Sequence, residues 1–148
     1  MIDGGNAALD GVVGCSTHPW SRSHIQGNKV LIPHMGGTNG PGWNQILSVL
    51  NLDSNEYEDD VVFGGSHAID YHNYANICRT DTGRWFSAHG CHVTPLYIAR
   101  TTNTGDDVSA WDAETTGPTG TDLASYPKAF FDHVNGRAYI LFRKGSSS

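Results

Sequence analysis

Residues 78–89 read CRTDTGRWFSAH, a short apolar run, a tight turn centred on Gly83, a basic residue, and a second apolar run. Two other stretches share that form: IQGNKVLIPH at 25–34 and FDHVNGRAYILFR at 131–143. The turn cores fall at Asn28, Gly83 and Gly136, so they are 55 and 53 residues apart, and Lys29, Arg84 and Arg137 each follow their core directly. A period near fifty residues is the size of one four-stranded propeller blade.

Outward from these turns, short apolar or alternating runs recur at 24–25, 29–32, 46–52, 61–63, 74–78, 84–88, 96–99, 129–131 and 138–142, each bounded by Gly, Asn, Asp, Thr or Pro. Helix periodicity is almost absent, with one weak case over 43–50. The fold class expected is all-β: a partial β-propeller of four-stranded antiparallel blades, with a β-sandwich as the alternative. Blade-like units are expected over 19–63, 72–114 and 125–144 of a single 1–148 domain, the last having only two strands. Propellers typically close with four or more blades. The chain is then either part of a longer protein or completes its sheet array as a homo-oligomer.

Composition agrees. Among 148 residues, 38% are hydrophobic and 18 are glycine, while four Trp, six Tyr and five Phe supply bulk. A net charge of −6 argues against a nucleic-acid partner or an anionic membrane surface, so any acidic partner must meet a local cationic site. No window approaches the roughly 18 apolar residues of a membrane span, and the first residues lack the basic and apolar regions of a leader. The chain reads as soluble. Cys15, Cys78 and Cys91 are an odd number, which does not indicate a disulfide framework. Cys78 and Cys91 read as buried thiols, as a bridge between strands, or, with His92, as weak zinc ligands; the run 89–92 adds a His-x-x-His pattern. The acidic run 56–60 reads as a solvated turn or as a calcium site.

The start of one hairpin strand lies opposite the end of the next. His72 and His89 hold those places in the second unit, and Tyr126 and Arg143 hold them in the third. All four are expected to line one pocket, with His34, Trp20 and Arg22 as outer candidates. Imidazole and phenol exchange protons near neutral pH when tuned, and a guanidinium pairs with a carboxylate.

The series DYHN (70–73), DTGR (81–84), SAHG (87–90), LYIAR (96–100), GDDVSAW (105–111), SYP (125–127) and GRAYILFR (136–143) resembles the BNR-type repeat propellers that include ulvan lyases. RTDTGRWF (79–86) is similar to the Asp box of sialidase-like propellers, a hairpin signature. The resemblance implies a secreted polysaccharide lyase, or a fragment of one, that cuts an anionic uronate-containing polysaccharide by β-elimination. It implies that Arg143 neutralises the uronate carboxylate, that His72 or Tyr126 takes the C5 proton, and that Tyr126 or a histidine protonates the leaving oxygen, with His89 completing the set. Asn73, beside His72, joins Trp20, Arg22 and His34 as a substrate-binding candidate. Elimination requires no cofactor; zinc or calcium would be structural. The other function class is a non-catalytic carbohydrate-binding or self-assembling module that uses Trp20, Trp43, Trp85 and Tyr97. A sialidase would want an arginine cluster, for which only Arg22, Arg79 and Arg143 are available.

Overall fold

The structure, a computed structural model, describes residues 23–36, 43–58, 60–67, 73–117 and 123–145. Among them there are twelve strands in three antiparallel sheets and no helix. The first sheet holds β1 (His24–Gln26), β2 (Lys29–Gly36), β3 (Trp43–Asn51), β4 (Glu56–Tyr57) and β5 (Val61–His67). β2 and β3 pair from Lys29↔Asn51 to Gly36↔Asn44, and the other edge of β3 takes β4 at one end and β5 at the other. The second sheet runs β10 (Thr115–Thr116), β9 (Tyr97–Arg100), β7 (Trp85–His89), β6 (Asn76–Arg79). The third runs β12 (Arg137–Lys144), β11 (Ala124–Asp132), β8 (His92–Thr94).

The second sheet is covered on both faces, and its strands show why. Successive side chains of a strand point to opposite faces. Ile77, Trp85 and Ala99 join Leu31, Leu47, Val49 and Phe63 in a core against the first sheet. Cys78, Ala88 and Leu96 join Ala124 and Ala129 in a second core against the third sheet. Burial of each large side chain contributes roughly 1.5–3 kcal/mol, and Trp85, only 2% exposed, is the largest in the first core. The same alternation turns Ser87 and His89 toward the first sheet.

Residues 43–50 form a strand, as the apolar run over 46–52 predicts, and not the weakly indicated helix: Gln45 through Leu50 are buried on both faces, which a one-sided helical pattern does not describe. Elsewhere the structure departs from expectation. The strand expected over 107–114 reduces to a single bridge, Thr101↔Trp111, followed by β10. Residues 102–110 instead form a loop folded onto the turn at Gly83, where Asp106 N–H donates to the Gly83 carbonyl (3.0 Å) and Arg79 donates twice to the Asp106 carboxylate. β8 was not expected. It is three residues long, and its partner β11 lies some thirty residues on, so no local pattern marks it.

Candidate functional site

The site begins at the end of β7. Past His89 the chain turns at Gly90 (φ 70°) and leaves the second sheet for β8, in the third. A Cβ at Gly90 would lie 2.8 Å from the His67 ring, so the turn demands glycine for both conformation and space. The Thr94 hydroxyl donates to the Gly90 carbonyl (3.0 Å), which closes the turn.

β8 pairs with β11 through Thr94↔Ala124 and His92↔Ser125, with a register shift between these pairs. The backbone is strained here on both strands: Val93 has φ 56° and Tyr126 has φ 58°. For a β-branched or bulky residue this region is an outlier, and such strain concentrates at functional sites. It is held in place by the buried Ser125, whose hydroxyl accepts the Val93 N–H at 2.8 Å. Across the other edge of β11, Ser125 pairs with Arg143, and the register slips again before Lys128↔Leu141. The result is a half-buried phenol with the Arg143 guanidinium carbon 4.7 Å from its ring centre and the His92 ring 6.2 Å away.

Of the residues expected in one pocket, Tyr126 and Arg143 are therefore brought together, and His92 joins them. His72, Trp20 and Arg22 lie outside the described residues. His89 is present but has no exposed surface; its ring meets Ser87 through Nδ1 (2.9 Å) and Glu114 through Nε2 (3.1 Å). Asn73 is buried behind the Gly90 turn, its carbonyl accepting from Gln45 Nε2 (2.8 Å) and Gly90 N–H (3.3 Å). His34 is buried within the first sheet, where Nε2 meets the Ser48 hydroxyl (2.7 Å), which donates to Asp60 (2.5 Å).

A second cluster escaped the sequence reading. Glu114 Oε2 faces His67 Nε2 at 3.2 Å, His89 Nε2 at 3.1 Å and the Gly65 N–H at 2.9 Å. Tyr97 packs on His67 with centroids 4.6 Å apart, and Phe63 meets His89 edge-on at 5.6 Å. Burial pushes the Glu114 carboxyl up, but the hydrogen bonds from His67, His89 and Gly65 together outweigh it and hold the group well below the usual carboxylate range. Burial holds His89 below the ordinary histidine value. His67 and Glu114 are 47 residues apart in sequence; the one available signal is that His67 ends β5 as His89 ends β7.

Among the described residues, His67, His89 and Glu114 are the one group of three side chains gathered as metal ligands are, with ligand atoms within 4.8 Å of one another. Cys78 and Cys91 are free and buried, and burial pushes their thiols up to about 11 and about 12, which disfavours the thiolate. In the acidic run, Glu58 pairs with Lys29 (2.7 Å) and Asp60 accepts from Ser48, so two of its oxygen donors have protein partners.

Stacked antiparallel sheets of this kind are shared with two solved structures of an ulvan lyase of polysaccharide lyase family 25, one of them bound to -[GlcA(1-4)Rha3S]-. Each is 16% identical, has a TM-score of 0.67, and aligns over 92% of this chain and 34% of its own. The chain thus spans about a third of the length of those proteins. The fold is a partial β-propeller of antiparallel blades. The model of the BNR repeat-containing family matches residues 38–148, and the chain belongs to that family. No curated protein matches it.

Proposed function

We propose that the protein is a polysaccharide-lyase-like module that binds an anionic, uronate-containing polysaccharide and cleaves it by β-elimination. The observation that supports this most is the meeting of β8, β11 and β12, where backbone strain at Val93 and Tyr126 accompanies the gathering of the Tyr126 phenol, the His92 imidazole and the Arg143 guanidinium. The fold shared with an ulvan lyase bound to a glucuronate-containing saccharide supports the substrate class.

In this reading Arg143, exposed on β12, pairs with the uronate carboxylate and stabilises the negative charge that develops when the C5 proton leaves. Tyr126 or His72 takes that proton. The C5–H electron pair becomes the C4–C5 double bond, the C4–O bond breaks, and the departing oxygen receives a proton from Tyr126 or a histidine. His92, beside Tyr126, is a further candidate for that second transfer. His89 acts as a positioning residue: fully buried, it anchors the end of β7 from which the chain turns to His92. Trp20 and Arg22 are candidates for binding the polymer, and a polymeric substrate implies action outside the cell. Incubation with a panel of uronate polysaccharides tests the reading through the ultraviolet absorbance of the unsaturated product. A rise that Tyr126→Phe abolishes supports it; no rise with any polymer at high protein concentration rejects it.

A second reading, a self-associating or carbohydrate-binding module, draws on β12. Among the described residues this is an edge strand; it exposes Tyr139 (40%) and Leu141 (60%), and Phe130 stacks on Tyr139 with centroids 5.4 Å apart. Unpaired strand edges with apolar side chains recruit partners. Mass in solution tests it: a discrete oligomer supports association, and a monomer at high concentration counts against it.

A further inference from the structure

We propose that His67, His89 and Glu114 form a zinc(II)-binding site that pins the first sheet to the second. The site does not depend on the lyase reading, in which none of the three residues touches the polysaccharide and His89 only holds the end of β7.

The convergence of three ligand atoms from separate elements supports it. Two ligand atoms bound to one zinc ion at about 2.0–2.2 Å in tetrahedral geometry lie roughly 3.3–3.5 Å from each other. The two imidazole nitrogens lie 3.2 and 3.1 Å from Glu114 Oε2, and all three ligand atoms fall within 4.8 Å. Spacings of 3.1 and 3.2 Å stand at the long end of N–H···O bonds and just inside the ligand–ligand spacing of a shared centre, so the same three atoms serve as hydrogen-bond partners without an ion and as ligands around one. Three groups converge on one carboxylate oxygen, the Gly65 N–H being the third. An oxygen with two lone pairs serves a metal and one N–H more easily than three donors.

The surroundings are those of a built site. Ser87 Oγ, 2.9 Å from His89 Nδ1, can accept a proton held there and leave the Nε2 lone pair for the metal, as outer partners of metal-bound histidines do. Phe63 and Tyr97 fix the two rings from the sides. A Cβ at Gly64 would lie 2.8 Å from both His89 Nε2 and Gln45 Cγ, so the fully buried Gln45 packs on the same spot. Its Oε1 has no hydrogen-bond partner among the described residues. Glu114 is 24% exposed against 8% for His67 and 0% for His89, which leaves an entry route on the carboxylate side. Two imidazoles and one carboxylate suit zinc; calcium and magnesium want oxygen throughout. The three ligands come from the ends of β5 and β7 and the segment before β10, so the ion would join elements that hydrogen bonds of one sheet do not connect.

The test uses the full chain, stripped with a chelator and titrated with zinc against a chromophoric competitor. We expect uptake of about one zinc per chain, weakened at least about tenfold by His67→Gln or Glu114→Gln, the smallest loss that even an outer partner's removal causes, and unchanged by Cys91→Ser or His133→Gln. In the wild-type protein the imidazole nitrogen resonances of His67 and His89 should move on zinc addition while those of His92 and His133 stay, a readout that does not depend on a variant folding. Folded protein that takes up no zinc, uptake lost with Cys91→Ser, or imidazole shifts confined to other histidines would each overturn the assignment.

Discussion

The guanidinium carbon of Arg143 lies 4.7 Å from the centre of the Tyr126 ring, at the point where the β11–β12 register slips. Hairpin pairing alone brings the two strands side by side there. The bulge and the left-handed backbone at Tyr126 change where the phenol is aimed, and the guanidinium is held on its face.

That pairing separates two effects in the enzyme reading. Tyr126→Phe removes a proton-transfer group and should lower kcat about 10²- to 10⁴-fold with little change in KM. Arg143→Lys keeps the charge but loses the planar fork that matches a carboxylate, and should act more strongly on KM. Steady-state kinetics on a uronate polymer, with circular dichroism to confirm unchanged folding, distinguishes the two.

Val93, 43% exposed, holds φ 56° next to His92. A left-handed conformation costs an L-residue roughly 1–2 kcal/mol, and asparagine tolerates it best after glycine. Val93→Asn should raise stability by about 1 kcal/mol in denaturant unfolding. If the strain serves His92 and Tyr126, the same variant should lose activity.

Gly90→Ala meets two obstacles at once, φ 70° and a ring atom of His67 at 2.8 Å. The backbone cost of about 1–2 kcal/mol and an overpacking cost of about 1–3 kcal/mol place the expected loss near 3 kcal/mol. Equilibrium unfolding in urea measures it, and a loss below about 1 kcal/mol would show that the turn relaxes freely.

His34 gives the stability a dependence on pH. Burial lowers it from 6.5, against the opposing pull of the Met35 carbonyl and the Asp60 carboxylate. A histidine with a depressed folded value favours the native state while neutral; that contribution is whole above about pH 6.5 and declines as pH falls through the folded value. Unfolding free energies should therefore drop between about pH 7 and about pH 5, and His34→Gln should flatten part of that slope even where it lowers stability overall.

How far the sequence carried the reading differs from element to element. The turn at Gly83 and the β11–β12 hairpin were legible because their signals are local: a turn residue, a basic residue, then an alternating run. Tyr126 and Arg143 followed from hairpin geometry. β8 was not legible, since three residues with a left-handed valine carry no periodicity and their partner is distant in sequence. Nor was the bond between His67 and Glu114, which depends on how two sheets stack and on Gly64 and Gly90 leaving room for the rings. His89 was marked by its strand-end position, but its complete burial follows from that stacking.

The lyase proposal rests on action of the paired Tyr126 and Arg143 on a uronate polymer. Its most direct test is continuous ultraviolet monitoring of the full chain with glucuronate-containing sulfated polysaccharide, wild type beside Tyr126→Phe. Steady accumulation of unsaturated uronate ends is expected with the wild type, and none above background with the variant. Equal rates for the two proteins, or no product from the folded wild type at any concentration tried, would contradict it.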